Sequence, residues 1–358
     1  MAASGRIAFA RPTAVGEHRN VLEASVIICT RHPRPHYWRQ VMGALAAQSL
    51  PVSCWELLVV DNASEPPLSV DLLPAGHPAA RLVRESTLGL TPARRRGVLA
   101  ATAEVIVFVD DDNLLAVDFL EEAVSIGKSH PDLGAWGGNI TLRFEVRPPV
   151  WVRRYQGLLT EKQVTANTVS QDPAHEASTP YGAGLCLRRV VAGHYDRVLQ
   201  SSPVRQALDR CGQSLVSGGD VDLALAACDL GMAKGVFPGL QVTHLIPPER
   251  TTENYLLRLS TAKEFSRWVL AWCRSPEEAA SDILPRRRQF KHLYDSVRTF
   301  GRRRRFLRAR WRGRAVAARF MRLARTVQDP GQAFAQVLAE EFPLHRAIAN
   351  SAGHDYPN

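Results

Sequence analysis

At 358 residues, 45% hydrophobic and 22% charged, the chain has material for one large or two smaller cores, which excludes global disorder. Its net charge of +10 is unevenly placed, because residues 286–325 hold 16 Lys/Arg against a single acid and the remainder is mildly acidic. No stretch reaches the roughly 18 apolar residues of a membrane span, no signal pattern opens the chain, and six scattered cysteines form no C-x-x-C pair; a reduced, cytoplasmic protein is expected.

Residues 1–22 read as a polar tail. Ser25 to Cys29 is a short β-branched apolar run, so a strand, followed by the Pro-broken stretch Thr30 to Pro35. Tyr37 to Gln48 has helical spacing. Trp55 to Val60 is a second buried strand ending in Asp61-Asn62, and Arg81 to Val83 a third. Leu90 to Thr102 reads as a helix, with Thr91 as N-cap and Pro92 at its first position. Glu104 to Val109 is a fourth strand that runs into Asp110-Asp111-Asp112. Strands apolar on both faces, alternating with helices, predict an α/β fold with a mostly parallel, Rossmann-like sheet. Further strands are expected at Ala135–Ile140, Gly184–Arg188 and Lys234–Val242, with a helix opening at Asp220. Beyond about 251 the pattern becomes helical and Arg-rich, giving a domain at 23–250 (halves 23–113 and 114–250) and a basic helical region at 251–358.

In open parallel sheets, ligands sit beyond the carboxyl ends of the strands. Thr30-Arg31, Asp61-Asn62 and the Asp triplet all end strands, so one crevice could gather them. Clustered carboxylates repel unless a cation or donors offset them, and all-oxygen ligands suit Mg²⁺ or Mn²⁺ held partly by substrate phosphates. The competing readings are structural: a solvated acidic turn at 110–113, a turn opener at Asp61-Asn62, a solvated face at Arg94–Arg96, an N-cap at Asp220, and a core histidine at His244.

The runs SVIICTR, ELLVVDNAS, GLTPARRRG and VIVFVDDDN, in that order, resemble the nucleotide-sugar half of family-2 glycosyltransferases with the GT-A fold. GAGLCLRR, SGGDVDLALAACDLG and VTHLIPPER resemble the acceptor half. The resemblance implies an inverting, nucleotide-sugar-dependent transferase. Thr30, Arg31, Asp61, Asn62, Arg94, Asp110, Asp111, Gly138 and Arg250 would bind the nucleotide sugar (a UDP-, GDP- or dTDP-sugar). Asp110, Asp112 and His244 would hold a divalent metal (Mn or Mg), and Asp220 would be the general base toward an acceptor hydroxyl. Trp136, Gly182, Ala183, Gly184 and Asp222 would line the sugar or acceptor pocket. Two departures stand out: Arg95 replaces a family Asn, and Gly219 replaces the acid that usually precedes Asp220, which leaves Asp222 a rival for the base.

Two alternatives stay open: a degenerate sugar-nucleotide-binding or membrane-associated protein without turnover, and a nucleotidyltransferase. The second, like a dinucleotide oxidoreductase, lacks its glycine-rich loop, because Thr30–Pro35 contains no glycine. The basic, aromatic-bearing stretch 286–325 reads either as helices packed with a solvated face or as a peripheral contact with an anionic inner membrane face, which would suit a lipid-linked acceptor. No nucleic acid is expected, since no recognition motif accompanies the charge.

Overall fold

The computed structural model describes residues 22–283 and 300–342. The chain divides into two compact units. The first comprises the described residues up to Thr87, with Pro92–Arg197 and Asp220–Pro248. The second takes Leu88–Thr91, Val198–Gly219 and the chain from Glu249 onward, so it draws segments from within the stretch that the sequence assigns wholly to the α/β domain.

The first unit is built on a nine-stranded sheet. Its strands are β1 (Ala24–Thr30), β2 (Trp55–Asn62), β3 (Ala80–Glu85), β4 (Val105–Phe108), β5 (Asn113–Leu115), β6 (Leu133–Phe144), β7 (Thr168–Ser170), β8 (Leu185–Arg188) and β9 (Ala233–Ile246). The spatial order is β3-β2-β1-β4-β8-β6-β9-β5, with β7 beside β9. β3, β2, β1 and β4 run parallel; β8, β5 and β7 run antiparallel to their neighbours, and β6 pairs β9 in parallel. Every residue of β2 is buried, which is why it reads as an unbroken apolar run and not as an alternating one. Helices α1 (Pro35–Ala46), α2 (Leu90–Ala100), α3 (Phe119–Ser129), α4 (Arg189–Gln200) and α6 (Gly219–Asp229) join the strands. Two starts differ from expectation: α2 begins at Leu90, so Thr91 lies inside its first turn, and α6 begins at Gly219, so Asp220 lies within the helix and not at its cap. None of the six cysteines forms a disulfide.

The second unit holds α5 (Pro203–Gln206), α7 (Glu253–Arg274), α8 (Pro276–Asp282), α9 (Gly301–Ala324) and α10 (Pro330–Glu341). Thr252 caps α7, its side chain accepting from the Tyr255 amide. Phe265, Phe320 and Phe334 form an aromatic core, with centroids 5.9 Å apart for Phe265–Phe334 and 5.3 Å for Phe320–Phe334. The arginines of α9 are in large part tied to glutamates of the same unit. Arg302 and Arg305 pair with Glu253, Arg310 and Arg314 with Glu264, and Arg312 and Arg319 with Glu340 and Glu341. Its apolar residues Phe306, Val316, Phe320 and Met321 are buried, while Phe300, just before it, is exposed; residues 286–299 lie outside the described residues. No helix among the described residues is long and apolar enough to cross a membrane.

Glu264 is the most consequential of these partners. It is buried, and it accepts from Trp268 Nε1 at 3.0 Å and Arg314 Nη2 at 2.9 Å. Burial alone would raise its pKa, but the hydrogen bonds from Trp268 and Arg314 hold it below the ordinary 4.5. A depressed carboxylate stabilises the fold fully above its unfolded pKa, and that contribution is lost as pH falls through the lowered folded value. Glu264→Ala is expected to cost about 3 kcal/mol by stranding Arg314. Thermal melts of the wild type should lose stability below about pH 4.5, and the variant should show a smaller loss over that range.

Candidate active site

The parallel register places Thr30 opposite Asp61 at the ends of β1 and β2. β4 leads from the neighbouring position into the Asp triplet, and the Val109 amide bonds Ile27 O at 3.0 Å. Thr30 donates to Asp111 Oδ2, which turns Asp111 toward β1. The Asn113 side chain accepts from the Asp110 amide at 3.3 Å and donates to Asp112 Oδ1 at 3.0 Å, closing the turn.

β5 pairs with β9 so that Asn113 faces His244, and the Leu245 amide bonds Asp112 O at 2.8 Å. His244 Nδ1 donates to Leu159 O at 3.1 Å, and its Nε2 stands 3.5 Å from Asp112 Oδ2. A backbone carbonyl on one ring nitrogen fixes the other toward the carboxylate, the arrangement by which histidine is presented to a metal. Burial raises the Asp110 pKa; Arg94 and His244 oppose that rise, while the charges of Asp112 and Asp220 add to it. Asp110 therefore lies within the reach of Arg94, Asp112, His244 and Asp220.

Arg94 is buried, its guanidinium 5.8 Å from the Phe108 ring centroid, which rules out a solvated face for it. Arg95 and Arg96 are exposed, and Arg95 pairs with Asp196. Asp220 Oδ2 accepts from the Gly182 amide at 2.8 Å. At Gly182 a Cβ would lie 2.9 Å from Arg94 Nη2 and 3.1 Å from Asp220 Cβ, so this glycine lets the backbone close between arginine and acid. Asp222 is only 1% exposed, whereas Asp220 is partly open.

Asp61 is 1% exposed and already engaged, accepting from the Ser64 amide at 3.1 Å, the Leu68 amide at 3.0 Å, and Arg84. Burial would raise its pKa, yet these hydrogen bonds hold it below the usual carboxylate range. Arg84 also donates to Ser64 O at 3.1 Å, clamping the loop after β2. Sequence reasoning missed Arg84; its only signal is register, Asp61 facing Arg84 across β2 and β3. Arg31 Nε donates to Ala63 O at 3.2 Å and the His32 amide to Ser64 Oγ at 3.2 Å, tying the first two strand-end loops together. His32 and Ala63 both adopt positive φ (50° and 55°), a local strain of the kind that gathers at working sites. Asn62 donates to Thr87 O at 2.7 Å.

Other expected pocket residues lie elsewhere. Trp136 is fully buried, because β6 is covered on both faces and its ring packs against Gly127, so it lines no sugar pocket. Ala183 is buried, and Gly184 packs on Val242 and Phe119. Gly138 presses on β9, where a Cβ would lie 1.9 Å from Leu240 O, at a shift in the β6–β9 register. That is a packing reason for the glycine, in place of a ligand contact. Arg250 sits in the 3-10 turn Pro248–Thr251.

Among the described residues no group of three His, Cys, Asp or Glu forms a ready-made metal cage. Of the three side chains that the sequence assigns to a metal, Asp112 and His244 stand 3.5 Å apart.

The family model for glycosyl transferase family 2 matches residues 25–184. Those residues, a little under half of the chain, resemble that family. The sheet, parallel through β3-β2-β1-β4 and mixed beyond, is the mostly parallel, helix-flanked α/β sheet that the sequence led us to expect. No curated protein sequence matches it. Among solved structures it is similar to S. aureus TarS 1-349, at 14% identity, 90% of this chain, 92% of that one and a TM-score of 0.45. It is also similar to GalNAc-T7 with UDP, GalNAc and Mn2+, at 15% identity, 71% of this chain, 52% of that one and a TM-score of 0.44. At these values neither likeness carries an argument.

Gly138→Ala separates packing from binding. With Leu240 O in the way, it should destabilise the first unit by about 1–3 kcal/mol, read as a lower melting temperature; a ligand-only role would leave melting unchanged.

Proposed function

We propose that the chain moves a sugar from a nucleoside-diphosphate sugar to an acceptor hydroxyl with inversion at the anomeric carbon. The observation that carries this reading is the meeting of Asp110, Asp112, His244, Arg94 and Asp220 at one set of strand ends. Asp61, fixed as an ionised acceptor by Arg84, suits a nucleobase N–H; a carboxylate offers about four lone-pair positions and three are occupied here. Thr30 and Asp111 border the ribose side. Asp110 and Asp112, with His244, would hold Mg²⁺ or Mn²⁺, and that ion, when bound, supplies charge neutralisation for the diphosphate.

The chain's own residues account for the rest. Arg94 brings positive charge to the site where the leaving group develops negative charge. Asp220, held by the Gly182 amide, accepts the proton from the acceptor hydroxyl as the hydroxyl oxygen attacks and the sugar–phosphate bond breaks. Asp220 is more open than Asp222, which favours Asp220 for that role. Arg250 stands as a candidate contact for the diphosphate on its charge and its place in the sequence alone.

A panel of UDP-, GDP- and dTDP-sugars, assayed for transfer and slow hydrolysis with Mn²⁺ or Mg²⁺, should yield one preferred, cation-dependent donor. Asp220→Asn should lower transfer by about 10²–10⁴ while donor binding persists. Asp222→Asn should act mainly on stability. Near-full transfer by Asp220→Asn would remove it as the base, and donor binding without any turnover would favour a non-catalytic protein.

A further inference from the structure

The chain after β6 leaves the sheet as Glu145–Pro149 and enters a 3-10 segment, Val150–Leu159. Val152 and Leu159 anchor the segment by full burial, while Val146 and Val150 stand 60% and 72% exposed. Arg147, Arg153 and Arg154 are exposed beside them, and none has an ion-pair partner among the described residues. Trp151 and Tyr155, half-buried, pack edge-to-face with centroids 6.1 Å apart at the base of this surface. The arginines of α9 contrast on both counts: most are tied to glutamates, and the helix's apolar residues are covered.

Water is a poor environment for two exposed valines, and three unneutralised guanidinium groups beside them disfavour a basic or neutral partner. Aliphatic tips, arginines and an amphipathic aromatic pair are the composition that settles at the boundary of headgroups and acyl chains, without spanning. We propose that residues 146–155 form a docking surface for an anionic lipid bilayer. The valines enter the acyl boundary, the arginines meet headgroup phosphates, and Trp151 and Tyr155 sit at the interface. The segment ends at Leu159, whose carbonyl holds His244 at the crevice, so docking would bring the crevice near the lipid surface. Vesicle binding itself does not depend on the transferase reading, although a lipid-linked acceptor would join the two.

The test is co-sedimentation of the full chain with vesicles of phosphatidylcholine alone or with phosphatidylglycerol added. The wild type should bind the anionic vesicles and ignore the neutral ones. Arg147→Glu/Arg153→Glu/Arg154→Glu should weaken binding roughly a hundredfold or more, and Val146→Ser/Val150→Ser should weaken it independently. Arg308→Glu/Arg322→Glu on α9 should leave it unchanged. Melting temperature and nucleoside-diphosphate binding should be unaltered in both loop variants, which keeps this test separate from that of the catalytic reading. The proposal is overturned if the wild type binds no anionic vesicles, if the loop variants bind as the wild type does, or if only the α9 pair abolishes binding. It is likewise overturned if the valine change relieves self-association while no vesicle binding exists.

Discussion

The site depends on a problem of like charge. Asp110, Asp112 and Asp220 converge on one crevice, partly screened from water, where repulsion among carboxylates is weakly damped. Arg94 and His244 offset part of it, and the residual negative charge is what a divalent ion would complete. Each offsetting group is positioned by a different non-local contact. Arg94 comes from α2, buried against Phe108; His244 is set by the β5–β9 pairing and Leu159 O; Asp220 is drawn in by the Gly182 amide. The strand order β3-β2-β1-β4-β8-β6-β9-β5 is thus the means by which residues more than a hundred positions apart come to share one field.

A second, quieter constraint operates at the end of β2. Asp61 is buried and must stay ionised to accept hydrogen bonds, and the Arg84 fork with two backbone amides makes that possible. The same fork ties the loop after β2, which is tied in turn to the loop after β1. Two crevice walls are therefore one hydrogen-bonded piece.

How much of this could be read from the sequence follows from whether each feature is local. β1, β2 and β4 were legible because strands buried on both faces leave unbroken apolar runs, and the Asp triplet was legible because it follows one directly. β5 and β7, three residues each, carry no period long enough to read. Trp136 was misplaced because a buried central strand and a pocket wall look alike in sequence. Gly138 is a glycine on account of a carbonyl a hundred residues away, and Arg84 acts through register, so neither has a local signature. The basic stretch left two readings open for a similar reason: an amphipathic pattern shows that α9 has an apolar face but not that α7 and α10 pack against it.

The central claim is that one strand-end crevice binds a nucleoside diphosphate together with a divalent cation. Isothermal titration of UDP, GDP and dTDP into the wild type and Asp112→Asn, with and without Mn²⁺ or Mg²⁺, tests it most directly. The account predicts that one nucleotide binds with a strong requirement for the cation, and that Asp112→Asn loses the cation-dependent part while melting normally. Nucleotide binding indifferent to the cation, or unchanged in Asp112→Asn, would contradict it.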